Sequence, residues 1–387
     1  MQNRRDFITG ALATASLAMT GAAVGKEAAK PAFLRSALLH LSHNMWGEYV
    51  APGEKRYPGL KYIDDHVLLV EETWKAVTER MQRRGYNHAV LDIGDAMVFP
   101  SHPELAITGS WTADRLRAEI ARLKAMGIEA VPKLNFSTGH DGWLKEYGRM
   151  ISTRKYYEVV KDLINDTCEI FGHPRQFHVG LDEEETLHGK QLPMCIVRRG
   201  EFWWHDANYY FECVRKNGAQ PICFGVHAYL ETGAEMFFRN MPKDVVQNFC
   251  LYMSDFDEKD LKRKGEKNVM ARRRIQKIAY LREIAKKGYQ VIGGTSNWVL
   301  KPKDWKPTSP IAGPDYPLNH KSAEGFYGFL RREVPPEQFA GMISMPWEQL
   351  TPRRLYCWES GIDELADALD DAKGNADLQN TVMTKEA

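Results

Sequence analysis

The densest run of reactive side chains is His178-Val179-Gly180-Leu181-Asp182-Glu183-Glu184-Glu185, an apolar stretch that ends in consecutive carboxylates. Adjacent side chains leaving a strand point in different directions, so Asp182 and Glu183 are presented differently. One can protonate a leaving oxygen while the other positions or stabilises the reacting group, and partial burial must raise the pKa of the proton donor. Glu184 and Glu185 suit another role, capping a following helix. His178, Asp182, Glu183, His227 and Glu348 could instead gather a divalent cation, as in a metal-dependent sugar isomerase or epimerase. No pair among them has a diagnostic ligand spacing, so the primary expectation is a site with no metal and no cofactor.

Such residues need a scaffold, and the chain spells one out by repetition. Trp74, Val77 and Met81 mark one face of a helix that stops at Gly85, and the apolar run HAVLDI follows from His88. Leu116, Ile120 and Leu123 precede Gly127 and IEAVPKL, and Tyr157, Val160 and Ile164 precede Gly172 and FHVGL. A further helix ends at Asn217-Gly218 before PICFGV, and Ile275, Ile278 and Leu281 precede Gly288 and YQVIGG. The spacing is helical and each glycine sits where a C-cap belongs. With SALLHL from Ser36, DVVQNFCLY from Asp244 and GMISMP from Gly341, the candidate strands number eight, enough to close a (β/α)8 TIM barrel in a single domain. An open doubly wound sheet would need a glycine-rich phosphate turn after its first strand, and none is present. Reactive groups are then expected at the C-terminal strand ends. The Pro- and Gly-rich segment from Lys301 to His320 reads as a long loop after the seventh strand. The barrel is expected over 33–371, and 372–387 as a disordered tail.

The segment FHVGLDEE resembles the His-x-Gly-Gly-Asp-Glu signature of family 20 glycoside hydrolases, the β-N-acetylhexosaminidases, with Leu181 in place of the second glycine. VPKLNFSTGH resembles that family's strand-three segment, LDIGD its strand-two segment ending in Asp, and MPWEQL its barrel-closing Trp-Glu element. The resemblance implies that Glu183 is the general acid/base and that Asp182 supports a 2-acetamido group acting as nucleophile in substrate-assisted hydrolysis. It implies a hydrogen-bonded relay of Asp95 and His140 behind the acid, substrate contacts from Asn135, Trp298, Trp347 and Glu348, and support from His178. The family's strand-one arginine has no counterpart in ALLHLSHNMW, Lys133 and Asn135 replace the strand-three acidic residues, and CFGVHAYL lacks the tryptophan after strand five. Those departures leave a non-catalytic carbohydrate-binding barrel as a further alternative.

The ends and the composition bear on location and partners. Asn3-Arg4-Arg5-Asp6-Phe7-Ile8 opens a run of small and apolar residues reaching Val24, which resembles a twin-arginine export signal over residues 1–28. That run is too weakly apolar to span a bilayer well, so the expectation is a bacterial periplasmic or secreted protein with no stable membrane association once processed. Its partners are then a carbohydrate substrate and the twin-arginine machinery. Lys and Arg number 52 against 51 Asp and Glu, a balance that gives no field for nucleic acid. The six cysteines show no CxxC pair and are assigned no chemistry.

Overall fold

The computed structural model describes residues 32–184, 196–253, 256–265, 268–297 and 316–383. Its larger compact unit begins at Phe33. Eight parallel strands close into a barrel in chain order: β1 Leu34–His40, β2 His88–Asp92, β3 Glu129–Lys133, β4 Gln176–His178, β5 Gln220–Cys223, β6 Val246–Cys250, β7 Val291–Thr295 and β8 Phe339–Ser344. The described helices are α1 Glu71–Arg83, α2 Ala113–Ala125, α3 Arg154–Ile170, α4 Glu201–Lys216, α5 Val226–Asn240, α6 Glu258–Gly265, α7 Val269–Lys286, α8 Tyr316–Glu333 and α9 Leu355–Met383. The (β/α)8 barrel expected from the alternation is the observed fold.

Local chemistry accounts for the element ends. The side chains of Thr112 and Thr153 accept hydrogen bonds from the backbone N–H of Arg115 and Tyr156, capping α2 and α3. Gly85, just beyond α1, takes φ 71°, a left-handed turn that lets the chain drop into β2. The alternation along the strands sorts side chains into two cores. Leu38, Val90, Ile222, Val246, Ile292 and Ile343 fill the barrel interior. Ala37, Leu39, Ala89 and Leu91 join the larger layer between strands and helices.

The predicted loop from Lys301 to His320 ends earlier than its composition suggests, because α8 already begins at Tyr316. Pro317 is its second residue, where a missing N–H costs no helical hydrogen bond. Residues 301–315 lie outside the described residues, as do residues 1–31, where the export signal is expected. At the other end α9 continues past residue 372 to Met383. Its buried face carries Trp358, Ile362, Leu365 and Leu369, and Arg80 of α1 and Arg84, the C-cap of that helix, pair with its Asp363 and Asp367. No described helix is long and apolar enough to cross a membrane.

Candidate active site

Strand register builds the floor of the site. His40 stands opposite Asp92, Asp92 opposite Lys133, and Lys133 opposite His178, so the inward-facing ends of the first four strands form one polar layer. Within it Lys133 Nζ donates to Asp92 Oδ2 at 2.7 Å, and His40 Nδ1 lies 3.0 Å from the same oxygen. All three side chains are buried. Burial alone would push Asp92 up, but the Lys133 charge and the His40 contact outweigh it and hold the carboxylate well below its ordinary range. Lys133, which replaces an acidic residue in the resemblance, is therefore the counter-charge of Asp92 under the cavity floor.

Above this layer the chain bends sharply. Gly180, Leu181 and Glu183 have φ of 73°, 70° and 60°. Gly180 has no alternative: a Cβ there would lie 2.0 Å from Asn135 Oδ1. Leu181 keeps the left-handed backbone that glycine adopts freely, and its buried side chain anchors the turn. For non-glycine residues such geometry stores about 1–3 kcal/mol each and persists where the surroundings over-determine it. The surroundings here are polar. Gly180 N donates to His178 Nδ1 at 3.0 Å, which leaves the proton of the neutral ring on Nε2, 3.3 Å from Asn248 Oδ1. Burial, then the Lys133 charge, lowers the His178 pKa to about 3, so the ring is neutral where it receives the Gly180 N–H.

The turn delivers consecutive carboxylates to different partners. Asp182 Oδ1 accepts from Asn135 Nδ2 at 2.8 Å. Burial pushes the Asp182 carboxyl up, but the charges of His140, Lys133 and His227 and the Asn135 bond prevail and hold it below the ordinary carboxylate range. Glu183 is 44% exposed, and its Oε2 lies 3.4 Å from Nε2 of the buried His140. Burial lowers the His140 pKa, but the charge of Asp182 and the bond and charge of Glu183 raise it to about 9, so that the His140–Glu183 pair holds a shared proton at neutral pH. Glu184 turns the other way, into a buried pair with Arg198 at 2.8 Å. Arg198 also holds Asp206 at 2.7 Å and donates to the Phe136 carbonyl at 2.7 Å. Through Arg198, Glu184 thus fastens the β4 turn to the chain after β3. Glu185 lies outside the described residues.

An open cavity of about 490 Å³ is lined by Asp182, Glu183, His140, Trp347 and Glu348, which brings together the core of the expected site. That volume falls within the roughly 300–1,000 Å³ of small-molecule sites. Trp347, with φ 58°, donates from Nε1 to Tyr252 Oη at 3.3 Å and meets Trp46 edge to face with ring centres 6.1 Å apart. Glu348 is paired with Arg354 at 3.3 Å.

Two expected site residues stand elsewhere. Asp95 does not back His140: its carboxylate accepts from Ser42 Oγ at 2.5 Å and Asn44 Nδ2 at 2.7 Å. Burial raises its pKa to about 6 against those bonds. It therefore fixes the loop after β1 that carries Trp46. Asn135 is not on the cavity wall. Its Oδ1 accepts from Ser137 N at 3.1 Å and Leu181 N at 3.4 Å, which forces its amide nitrogen toward Asp182. Trp298 lies outside the described residues. Trp46, His43, Lys61, Tyr252 and Arg354 also line the cavity, although neither the motifs nor the resemblance marks them. Trp46 and Tyr252 did carry a sequence signal, since each is an aromatic residue in the segment that follows a barrel strand. Among the described residues no group of three or more His, Cys, Asp and Glu is placed to hold a metal ion.

No protein-family model matches this chain, and no curated protein matches it. Solved structures do resemble it. A mutant Streptomyces plicatus β-hexosaminidase in complex with its product GlcNAc matches with TM-score 0.57 and 16% identity over 87% of this chain and 64% of that one. Flavobacterium johnsoniae chitobiase matches with TM-score 0.54 and 15% identity over 88% of this chain and 52% of that one. Dispersin B matches with TM-score 0.50 and 15% identity over 78% of this chain and 94% of that one. The chain thus spans less than two thirds of the first two. At these identities the likeness is one of fold.

Proposed function

We propose that this chain is an exported glycoside hydrolase of the β-N-acetylhexosaminidase type. Glu183 is its general acid/base, and Asp182 supports the substrate's 2-acetamido group as nucleophile. The observation that carries the reading is the arrangement of Glu183 against buried His140, with Asp182 beside them, at the wall of a cavity flanked by Trp46 and Trp347. The fold likeness to hexosaminidases supports the same class of chemistry.

The steps follow from what these groups can move. Glu183 gives its proton to the glycosidic oxygen as the bond from that oxygen to the anomeric carbon breaks. The acetamido carbonyl oxygen bonds to the anomeric carbon, forming a cyclic intermediate whose nitrogen carries developing positive charge. The ionised Asp182 stabilises that charge. Glu183, now a carboxylate, takes a proton from the water that reopens the ring. Trp46 and Trp347 cover the C–H faces of the sugar, and the Glu348–Arg354 pair offers an acceptor and donors for hydroxyls.

Screening the purified protein against aryl glycosides in the presence of a chelator tests the assignment. The expected result is turnover of 2-acetamido-2-deoxy-β-glycosides and little of their 2-hydroxy counterparts. Activity that needs an added divalent cation would favour the isomerase class, and no turnover on any member would favour a binding barrel.

Export rests on Arg4 and Arg5 and on removal of roughly the first 28 residues, leaving a mature domain over 33–371 and a bacterial periplasmic or secreted location. Replacing both arginines by lysine is expected to leave a folded, unprocessed cytoplasmic precursor. Wild-type processing of that variant, followed by immunoblotting of cell fractions, would overturn the assignment.

A further inference from the structure

Asp95, the carboxylate expected behind His140, is bonded to Ser42 and Asn44 instead, and among the described residues a hydroxyl lies beside Nδ1 of the ring. Ser137 follows β3 and is fully buried. Its Oγ donates to the Asp182 backbone carbonyl at 2.5 Å, accepts from Gly139 N at 3.2 Å and lies 3.4 Å from His140 Nδ1. Its own N–H donates to Asn135 Oδ1, whose amide nitrogen in turn holds the Asp182 side chain. One residue therefore touches the histidine, the backbone of the catalytic pair and the amide that orients Asp182.

A hydroxyl has one proton and two lone pairs. A carbonyl oxygen can only accept, so the Ser137 proton is committed to Asp182. Gly139 N–H fills one lone pair. The other can be met by His140 only if Nδ1 carries a hydrogen. We propose that Ser137 is a positioning residue that fixes His140 in the Nδ1–H tautomer, so that Nε2 faces Glu183 and exchanges a proton with it along their contact. Resting on the hydrolase reading, this assigns the relay in this chain as Ser137–His140–Glu183. A neutral ring in this tautomer offers Glu183 a lone pair, and the protonated ring offers it a hydrogen. The proton passes between Nε2 and Oε2 without any rearrangement at Nδ1.

The tautomer can be read without turnover. With ¹⁵N-labelled histidine in the full chain, the His140 signals are assigned by their loss in His140→Asn. Above the pH at which the ring deprotonates, wild type is expected to show Nδ1 protonated and Nε2 bare, while Ser137→Ala shows Nε2–H populated. The reverse tautomer in wild type overturns the proposal, and so does an Ala variant that keeps Nδ1–H alone. Should the Ala variant fail to fold, the wild-type spectrum decides by itself. In turnover, Ser137→Ala is expected to lose about 10²-fold in kcat, the scale of a misplaced catalytic group, with KM nearly unchanged. Ser137→Thr, which retains the hydroxyl, is expected to restore the tautomer and most of kcat. If no glycoside is turned over, the hydrolase reading fails while the tautomer assignment stands on its spectrum.

Discussion

Glu183→Gln is expected to lose about 10²–10⁴-fold in kcat/KM on glycosides with poor leaving groups, the usual contribution of a general acid. With nitrophenyl leaving groups, which depart with little protonation, the loss is expected to be far smaller. Glutamine preserves shape and can still meet His140, but an amide has no acidic proton to give. The discriminating measurement is therefore the slope of log kcat/KM against leaving-group pKa, steep for the variant and shallow for wild type. Equal losses across the series would remove Glu183 from the acid role. The same unit sets the basic side of the pH profile. Asp182 and Glu183 overcome burial to raise the His140 pKa to about 9, so the His140–Glu183 pair keeps its shared proton below that pH and loses it above. Wild-type activity is expected to fall as pH rises through about 9, and His140→Ala is expected to bring that fall to lower pH.

The barrel was legible because period-two and period-3.6 patterns alternate with glycine stops, and each strand's apolar run matches what its layer requires. Asp182 and Glu183 stood out because strand ends are where a barrel presents polar groups, whereas His140, Trp347 and Glu348 were reached only through the family resemblance. Asp95 was misread for a definable reason. Strand β2 ends at Asp92, and the turn through Gly94, at φ 50°, swings Asp95 toward Ser42 and Asn44. Motif spacing cannot report that swing, nor that Asp92 takes the inward position beside Lys133. Asn135 was expected as a sugar contact from the resemblance, whereas its orientation is dictated by two backbone N–H groups from Ser137 and Leu181. Leu181 looked like a departure from the signature, but its left-handed backbone keeps the turn that a glycine would make. In each case the missing information was three-dimensional: register, turn geometry and the direction of a hydrogen bond.

Asp182→Asn is expected to show the opposite leaving-group behaviour. A carboxylate that stabilises charge on the acetamido nitrogen acts whichever group departs, so its loss should lower kcat by about 10²–10³-fold or more across the whole aryl series, as for other preorganised electrostatic groups. The variant should fold, because asparagine can still accept from Asn135 Nδ2 through its side-chain oxygen. Two pH observations follow from the same charge. His140, Lys133 and His227 hold the Asp182 pKa below the ordinary carboxylate value despite burial, so the stability linked to its ionisation is present above the unfolded pKa and lost as pH falls through the folded one. Asparagine removes that acid-side loss, and melting temperatures of the two proteins should converge at low pH. The Asp182 charge is also the largest influence raising His140, so the ¹⁵N titration of that ring should move to lower pH in the variant. An Asp182→Asn enzyme that loses activity only with poor leaving groups would place the proton donor at Asp182 instead. One that hydrolyses 2-hydroxy and 2-acetamido glycosides with the same deficit would sever Asp182 from the acetamido group altogether.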